Sequence, residues 1–310
     1  MQRPLTIGTR GSPLALYQAR LVQSLLIEEH GGKADDYPIK ILKTSGDRLK
    51  GDLKEFGGKG LFTKELEEAL IAGRIDLAVH SMKDVPTVSQ PALMIGAVLP
   101  RADVRDAFIS NNCAKLADLP KGAIIGSASI RRRAQLARLR PDIRFTLLRG
   151  NVGTRLEKLE RGDCDATFLA CAGLTRLGQA GVITEAIEPE VMLPAPAQGA
   201  IGIEIRRDDA EAGNVVGALN DPATEWAIAA ERAFLRALDG SCRTPIAALA
   251  ELDGLRLHFR GEVLAKDGTL RFTRESTIYC ENRDDARAMG LALGEEIRTE
   301  IGDRNLWDED

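Results

Sequence analysis

Asp76-Leu77-Ala78-Val79-His80-Ser81-Met82-Lys83-Asp84-Val85-Pro86 is the stretch on which the reading of this chain turns. Its first half runs apolar, as a buried strand does. It then stops and presents His80, Ser81, Lys83 and Asp84 before Pro86 forbids further regular structure. In open α/β sheets the carboxyl ends of strands are where ligands sit. A lysine and an aspartate side by side at such an end can hold an anion and handle a proton in one place. A solvated strand-end pair has the same spacing, so the flanking sequence has to decide.

Upstream, residues 4–8 read as a strand, followed by Thr9-Arg10-Gly11-Ser12-Pro13 and a helix over 14–29. Ser12 is a good N-cap and Pro13 suits the first helical position. Arg10 is thereby expected beside a helix N-terminus, a natural place to hold an anion. Residues 39–43 read as a second strand. A loop containing Gly57-Gly58-Lys59-Gly60 leads into a helix over 62–72, and Gly73 stops it before the strand at 75–80. This β-α-β-α-β order predicts a mainly parallel sheet. The Gly58-Lys59 pair is not a Walker loop, because Leu53 and Gly60 stand where that motif needs Gly and Ser or Thr.

Downstream, 93–99 reads as a strand and 100–103 as a linker, after which the first pattern returns. Strands are expected at 123–126, 144–148 and 164–170, with helices at 130–139 and 152–160. The segment Glu68-Ala69-Leu70-Ile71-Ala72-Gly73-Arg74-Ile75-Asp76-Leu77-Ala78-Val79 parallels Glu157-Lys158-Leu159-Glu160-Arg161-Gly162-Asp163-Cys164-Asp165-Ala166-Thr167-Phe168. Each is a helix, a Gly stop, then Asp opening an apolar strand. Two related α/β lobes are expected, one over 1–100 plus 197–218 and one over 104–194. Pro194-Ala195-Pro196-Ala197-Gln198-Gly199 would carry the chain back across a hinge, leaving a cleft between the lobes. From Asp221 the character changes to a helix at 222–238, strands at 246–252, 255–264 and 269–279 with Asp-Gly turns, and a closing helix at 284–301. The fold class predicted is α/β: two periplasmic-binding-protein-like lobes, plus a small α+β third domain over 221–310 with an antiparallel sheet.

Composition narrows the function. The 310 residues are enough for two or three domains with real cores. A net charge of −4 gives no global basic field for nucleic acid or acidic membranes. The N-terminus lacks the layout of a secretory signal, and no apolar run approaches a membrane span. Five scattered cysteines without a C-x-x-C pair read as reduced thiols in a cytoplasm. Three dispersed histidines do not make a metal site, so no metal is expected. No long apolar surface stretch is visible, which favours a monomer.

Polar residues collect at the expected inward ends of both lobes. They are Arg10, Ser12, Lys59, Lys83 and Asp84 in the first, and Ser127, Ser129, Arg131, Arg132, Arg149, Arg155 and Arg176 in the second. Helical rotation forbids Arg131, Arg132 and Arg133 from all facing one way, and Arg133 is expected to look elsewhere. Arginines clustered in an acidic chain form a local sink for carboxylates or phosphates. Cys242 lies in Gly240-Ser241-Cys242-Arg243-Thr244-Pro245, where small neighbours leave its sulfur accessible and Arg243 favours a thiolate. No histidine stands nearby to make a Cys–His hydrolase.

Several of these segments together resemble the porphobilinogen deaminase family. They are Thr9-Arg10-Gly11-Ser12-Pro13-Leu14-Ala15, Gly57-Gly58-Lys59-Gly60-Leu61-Phe62, Ala78 through Pro86, Arg149-Gly150-Asn151-Val152-Gly153-Thr154-Arg155-Leu156 and the Cys242 loop. The resemblance implies an enzyme that condenses four porphobilinogens head to tail with loss of ammonia, then hydrolyses off a linear tetrapyrrole. It implies a dipyrromethane cofactor in thioether linkage to Cys242, which makes that thiol a permanent anchor. It gives Asp84 the catalytic role, with Lys83 beside it, stabilising positive charge while protons move. It places Arg10, Ser12, Ser81, Lys83, Ser127, Ser129, Arg131, Arg132, Arg149, Gly150, Arg155, Arg176 and Gln198 around the carboxylates of cofactor and substrate. Lys59 and Phe62 would form a lid. Two departures stand out: Ala128 lacks the hydroxyl usual there, and Ala197 replaces a frequent Gly before Gln198-Gly199, which would stiffen the crossover. A non-catalytic two-lobed carboxylate-binding protein, or a transferase using Cys242 as a transient nucleophile, are the competing readings.

Overall fold

The computed structural model describes residues 3–44, 63–240, 244–304 and 306–307. In chain order, the first elements are β1 (Ile7–Arg10), α1 (Pro13–His30), β2 (Ile39–Leu42), α2 (Lys64–Ile71), β3 (Leu77–Ser81) and β4 (Leu93–Val98). Next come β5 (Asp106–Ser110), β6 (Ile124–Gly126), α3 (Ile130–Leu139), β7 (Arg144–Thr146), α4 (Val152–Glu160), β8 (Ala166–Ala170), α5 (Cys171–Arg176) and β9 (Glu185–Ile187). The last are β10 (Ile201–Arg206), α6 (Ala210–Gly217), α7 (Pro222–Ala237), β11 (Ile246–Asp253), β12 (Arg256–Leu264), β13 (Arg271–Tyr279) and α8 (Arg283–Ile301). The chain divides into two compact units, residues 1–101 with 200–225, and 102–199 with 226–310.

The first unit holds a five-stranded sheet in the order β2-β1-β3-β10-β4. β1 pairs in parallel with β2 and β3, and β10 runs antiparallel to β3 and β4. Ile7, Leu77, Val79, Ile203 and Ile205 build its core against Ala19, Val22 and Leu26 of α1. The second unit repeats the plan as β7-β6-β8-β5-β9, with β6 parallel to β7 and β8, and β5 antiparallel to β8 and β9. Its other sheet, β11-β12-β13, is antiparallel throughout and packs on α7 and α8 through Phe234, Phe259 and Ile297. Fold class is thus α/β with two like mixed sheets and a small antiparallel one. In each five-stranded sheet the reversed strand, β5 or β10, is the first strand after the chain passes from one unit to the other.

The internal repeat has a structural meaning. Gly73 and Gly162 both adopt positive φ (65° and 80°), the left-handed turn that lets a helix stop and the chain enter a strand. The aspartates that follow make corresponding bonds. Asp76 Oδ2 accepts from Thr6 N, just ahead of β1 (2.8 Å), and Asp165 Oδ2 accepts from Ile124 N of β6 (2.7 Å). Each carboxylate therefore fixes the central parallel pair of its own lobe.

Some boundaries differ from the sequence expectation. The first strand runs Ile7–Arg10 instead of 4–8, because Gly8, Thr9 and Arg10 pair with Lys40, Ile41 and Leu42 of β2. Arg10 is therefore a strand residue, not part of the following loop. Residues 147–148 and 164–165 lie outside β7 and β8. Four elements were not foreseen: β5, β9, α5 and α6. β9 and α5 are too short for a periodic signal, and α6 (Ala-Glu-Ala-Gly-Asn-Val-Val-Gly) has poor helix propensity.

Candidate active site

β3 is buried from Leu77 to His80, and it ends in a tight 3-10 turn over Met82–Asp84. The turn is pinned from beneath: Met82 is buried, its N–H donates to Ala200 O (3.0 Å), and Val85 N–H donates to Met82 O (3.2 Å). Gly202 of β10 makes room for it, since a Cβ there would stand 2.1 Å from Met82 Sδ. About 120° of rotation per residue in such a turn sends Lys83 and Asp84 different ways. Asp84 comes out exposed and Lys83 half-buried. Below them, His80 Nε2 lies 3.0 Å from Glu204 Oε2, both side chains buried. Ser81 Oγ receives the buried Gln18 amide of α1 at 2.8 Å.

Arg10 and Ser12 belong to the same sheet edge. β1 and β3 pair Ile7 with Leu77 and Gly8 with Ala78, so two residues further on Arg10 and His80 are level. Ser12 caps α1, its Oγ accepting from Ala15 N at 3.3 Å, with Pro13 opening the helix. The carboxyl ends of two adjacent parallel strands thus bring Arg10, Ser12, Ser81, Lys83 and Asp84 to one edge.

The second unit does the same with three parallel strands. After β6, Ser127 Oγ accepts from Ser129 N (3.2 Å), and Ser129 Oγ accepts from Arg132 N (3.4 Å) as the N-cap of α3. After β7, Gly150 takes φ 122° and Asn151 caps α4, with Oδ1 accepting from Thr154 N at 2.9 Å. Arg155 Nε donates back to Gly150 O (2.8 Å), and Lys158 Nζ to Arg149 O (3.2 Å). After β8, Arg176 closes α5 and donates from Nη2 to Gly199 O (2.7 Å). Ser127, Ser129, Arg149, Gly150, Arg155 and Arg176 therefore gather at one edge of this unit.

Arg131 and Arg132 are buried, at 5% exposure each, and converge on Asp106, which is fully buried. Arg131 Nη2 and Arg132 Nη2 each donate to it at 2.7 Å. Burial alone would push the Asp106 carboxyl up, yet the two guanidiniums outweigh it and hold it well below the usual carboxylate range. This internal partner has no counterpart in the sequence reading, which missed Asp106. A signal was present: an acidic residue opens the apolar run Ala107–Ile109, as Asp76 opens β3. Arg133 instead stacks over Phe145, 5.3 Å from the ring centroid, and faces away from its two neighbours as expected.

The donor set suits a ligand bearing carboxylates. Two guanidiniums against one carboxylate leave a net positive charge in a buried place, and Arg131 Nε is buried there with no hydrogen-bond partner. Serine hydroxyls and helix N-termini add neutral donors. Lys59, Phe62 and Cys242 lie outside the described residues.

Each lobe, taken alone, is an α/β frame that gathers cationic and hydroxyl side chains at its strand exits, and the first also offers a carboxylate at Asp84. Similarity to known proteins narrows that class. A family model described as "Porphobilinogen deaminase, dipyromethane cofactor binding domain" matches residues 5–214, and "Porphobilinogen deaminase, C-terminal domain" matches 226–299. A curated porphobilinogen deaminase from Paracoccus denitrificans is 54% identical over 298 residues, 96% of this chain and 94% of that protein. One from Nitrobacter hamburgensis is 51% identical over 302 residues, again 96% and 94%. A periplasmic substrate-binding protein of an ABC transporter from Coxiella burnetii is 14% identical, covering 71% of this chain and 93% of that chain at a TM-score of 0.44. The chain belongs to the porphobilinogen deaminase family.

It is accordingly a deaminating transferase of tetrapyrrole biosynthesis, with porphobilinogen as substrate and dipyrromethane as cofactor. Four porphobilinogens are joined head to tail with release of ammonia, and the linear product is then freed by water. Family membership does not favour the non-catalytic alternative. No helix among the described residues is long and apolar enough to cross a membrane.

Proposed function

We propose that Asp84 is the catalytic carboxylate of this reaction and Lys83 its neighbouring anion holder. The supporting observation is the exposed Asp84 on a turn clamped by Met82 and Ala200, just past the end of the strand whose His80 is level with Arg10. The Asp84 carboxylate accepts the pyrrole N–H and stabilises the positive charge that develops as ammonia departs, and the neighbouring amine orients a carboxylate of the same ring. Arg10, Ser12, Ser81, Ser127, Ser129, Arg131, Arg132, Arg149, Gly150, Arg155, Arg176 and Gln198 hold acetate and propionate side chains. A charge-assisted bond contributes about 1.5–3 kcal/mol, so a few per ring suffice for tight binding. The dipyrromethane, when bound, supplies the primer on which the chain grows, and Cys242 is its attachment point by a thioether. Lys59 and Phe62 serve as a lid.

The functional division we infer is three domains: 1–100 plus 197–218 with the catalytic Asp, 104–194 with the arginines, and 221–310 with the anchoring cysteine. The enzyme works in the cytoplasm as a monomer.

Intact mass under denaturing conditions, beside a Cys242→Ser variant, tests the anchor. The expected result is a covalent excess equal to two porphobilinogens less two ammonias, absent from the variant. Active protein of unmodified mass would remove Cys242 from the mechanism.

A further inference from the structure

Asp106 is the one fully buried carboxylate on which two of the proposed carboxylate-holding arginines meet. Its Oδ2 accepts from Arg131 Nη2 (2.7 Å). Its Oδ1 accepts from Arg132 Nη2 (2.7 Å), Arg132 Nε (3.1 Å) and Gln198 Nε2 (3.0 Å). The far sides of the same groups are fixed by backbone carbonyls. Arg131 Nη1 donates to Leu193 O (2.8 Å), Arg132 Nη1 to Phe168 O (2.6 Å), and Gln198 Nε2 also to Val104 O (2.8 Å). Neither guanidinium can rotate without breaking a bond to Asp106. Glu262 of β12 also lies within electrostatic reach of Arg131, but it already takes a bond from Arg271 Nε at 2.5 Å. The local sum remains one positive charge.

We propose that Asp106 is the positioning residue for carboxylate recognition in this lobe. It aims Arg131 and Arg132, and it sets their net charge at +1, so that a single ligand carboxylate completes the balance. With no internal carboxylate the two arginines would repel each other and lose their fixed direction. With two, the site would be neutral and would have no reason to hold an anion. This inference rests on the reading that Arg131 and Arg132 hold carboxylates, and Arg132→Gln tests that reading separately.

The experiment compares Asp106→Asn, Asp106→Glu and Arg132→Gln with the parent enzyme. Circular dichroism reports folding, intact mass reports the fraction carrying cofactor, and kcat and KM for porphobilinogen are measured on that loaded fraction. Asp106→Asn keeps the shape and removes the charge. It is expected to be folded, to carry less than half the parent's cofactor, and to raise KM about tenfold or more while kcat changes far less. A folded Asp106→Asn with full loading and a KM within twofold of the parent would overturn the proposal. Should Asp106→Asn not fold, Asp106→Glu decides. Keeping the charge but shifting it by one methylene is expected to raise KM at least threefold with kcat retained, and an unchanged KM would overturn the proposal. Normal loading and KM in Arg132→Gln would overturn the underlying reading and the proposal with it. Impairment there beside a normal Asp106→Asn would overturn the positioning role alone.

Discussion

Asp84 is exposed although the strand that delivers it is buried, and this contrast suits the catalytic role proposed for it. A carboxylate held on a clamped turn needs little reorganisation when positive charge develops beside it. Asp84→Ala is therefore expected to bind porphobilinogen with a KM within a few-fold of the parent, while kcat falls about 100-fold or more. Steady-state rates on reconstituted enzyme check this, and near-normal turnover would remove Asp84 from its role. The motif around Asp84 was legible because an apolar strand ending in Lys-Asp-Val-Pro is a local signal. The Asp106 pairing was not, because it joins residues 25 and 26 positions apart through tertiary packing. Ala197 is a further case. The sequence shows a missing Gly there, and the structure shows the residue at φ 61°, with its N–H held at 2.5 Å by the buried Glu231 carboxylate. The side chain is accepted in a left-handed turn because its backbone is tied down.

At the scale of elements, caps carried most of the legible information. α1 opens behind Ser12 as expected, and α3 and α4 span the expected Ile130–Leu139 and Val152–Glu160, where the structure shows Ser129 and Asn151 as caps. Of the unread helices, α5 lacks such a mark, whereas α6 has one in Asp209, whose Oδ1 accepts from Ala212 N at 3.0 Å, ahead of a sequence of poor helix propensity. The bond between β3 and β1 through Asp76 has a pH signature. Asp76 is buried, which alone would raise its pKa. Bonds from Arg3 Nη1 (2.7 Å), Thr6 N (2.8 Å) and Arg206 Nη2 (3.0 Å) outweigh burial and hold it below the ordinary value. A carboxyl depressed in the folded state gives stability that is present above the unfolded value of about 3.9 and is lost as pH falls through the folded one. Asp76→Asn is thus expected to be destabilised at pH 7 by about 1–3 kcal/mol, the Arg3 share being small because that side chain is 47% exposed. Urea unfolding at pH 7 and pH 3.5 checks it: the gap to the parent should narrow in acid. An equal gap at both would show that charge is not its source.

At the scale of the molecule, two lobes of one plan were visible in the repeat of helix, glycine and Asp-led strand, and the return crossing was visible in its prolines. The direction of the returning strand was not, since an apolar run such as Ile201–Ile205 reads the same in either sense. Its antiparallel entry matters, because β10 lies between β3 and β4 and pairs with both. A chain ending at residue 195 should leave both of those strands with open edges while keeping every strand of the β7-β6-β8-β5-β9 sheet. Limited proteolysis read by mass spectrometry should then cut within 75–101 well before 106–187. Equal protection of the two segments would contradict this account.

The same placement sets an order in time. β4 ends at Val98 and the strand that joins it to β3 begins at Ile201, so about 100 residues separate the two in synthesis. At about 5–20 residues per second, the sheet that carries Asp84 waits some 5–20 s on the ribosome for its fifth strand. The second sheet, whose strands all fall within 106–187, is complete before that strand emerges. Of the two five-stranded sheets, the one begun first is completed second. The newborn chain passes those seconds with the hydrogen-bonding edges of β3 and β4 uncovered, and this is the interval in which a chaperone would be needed most.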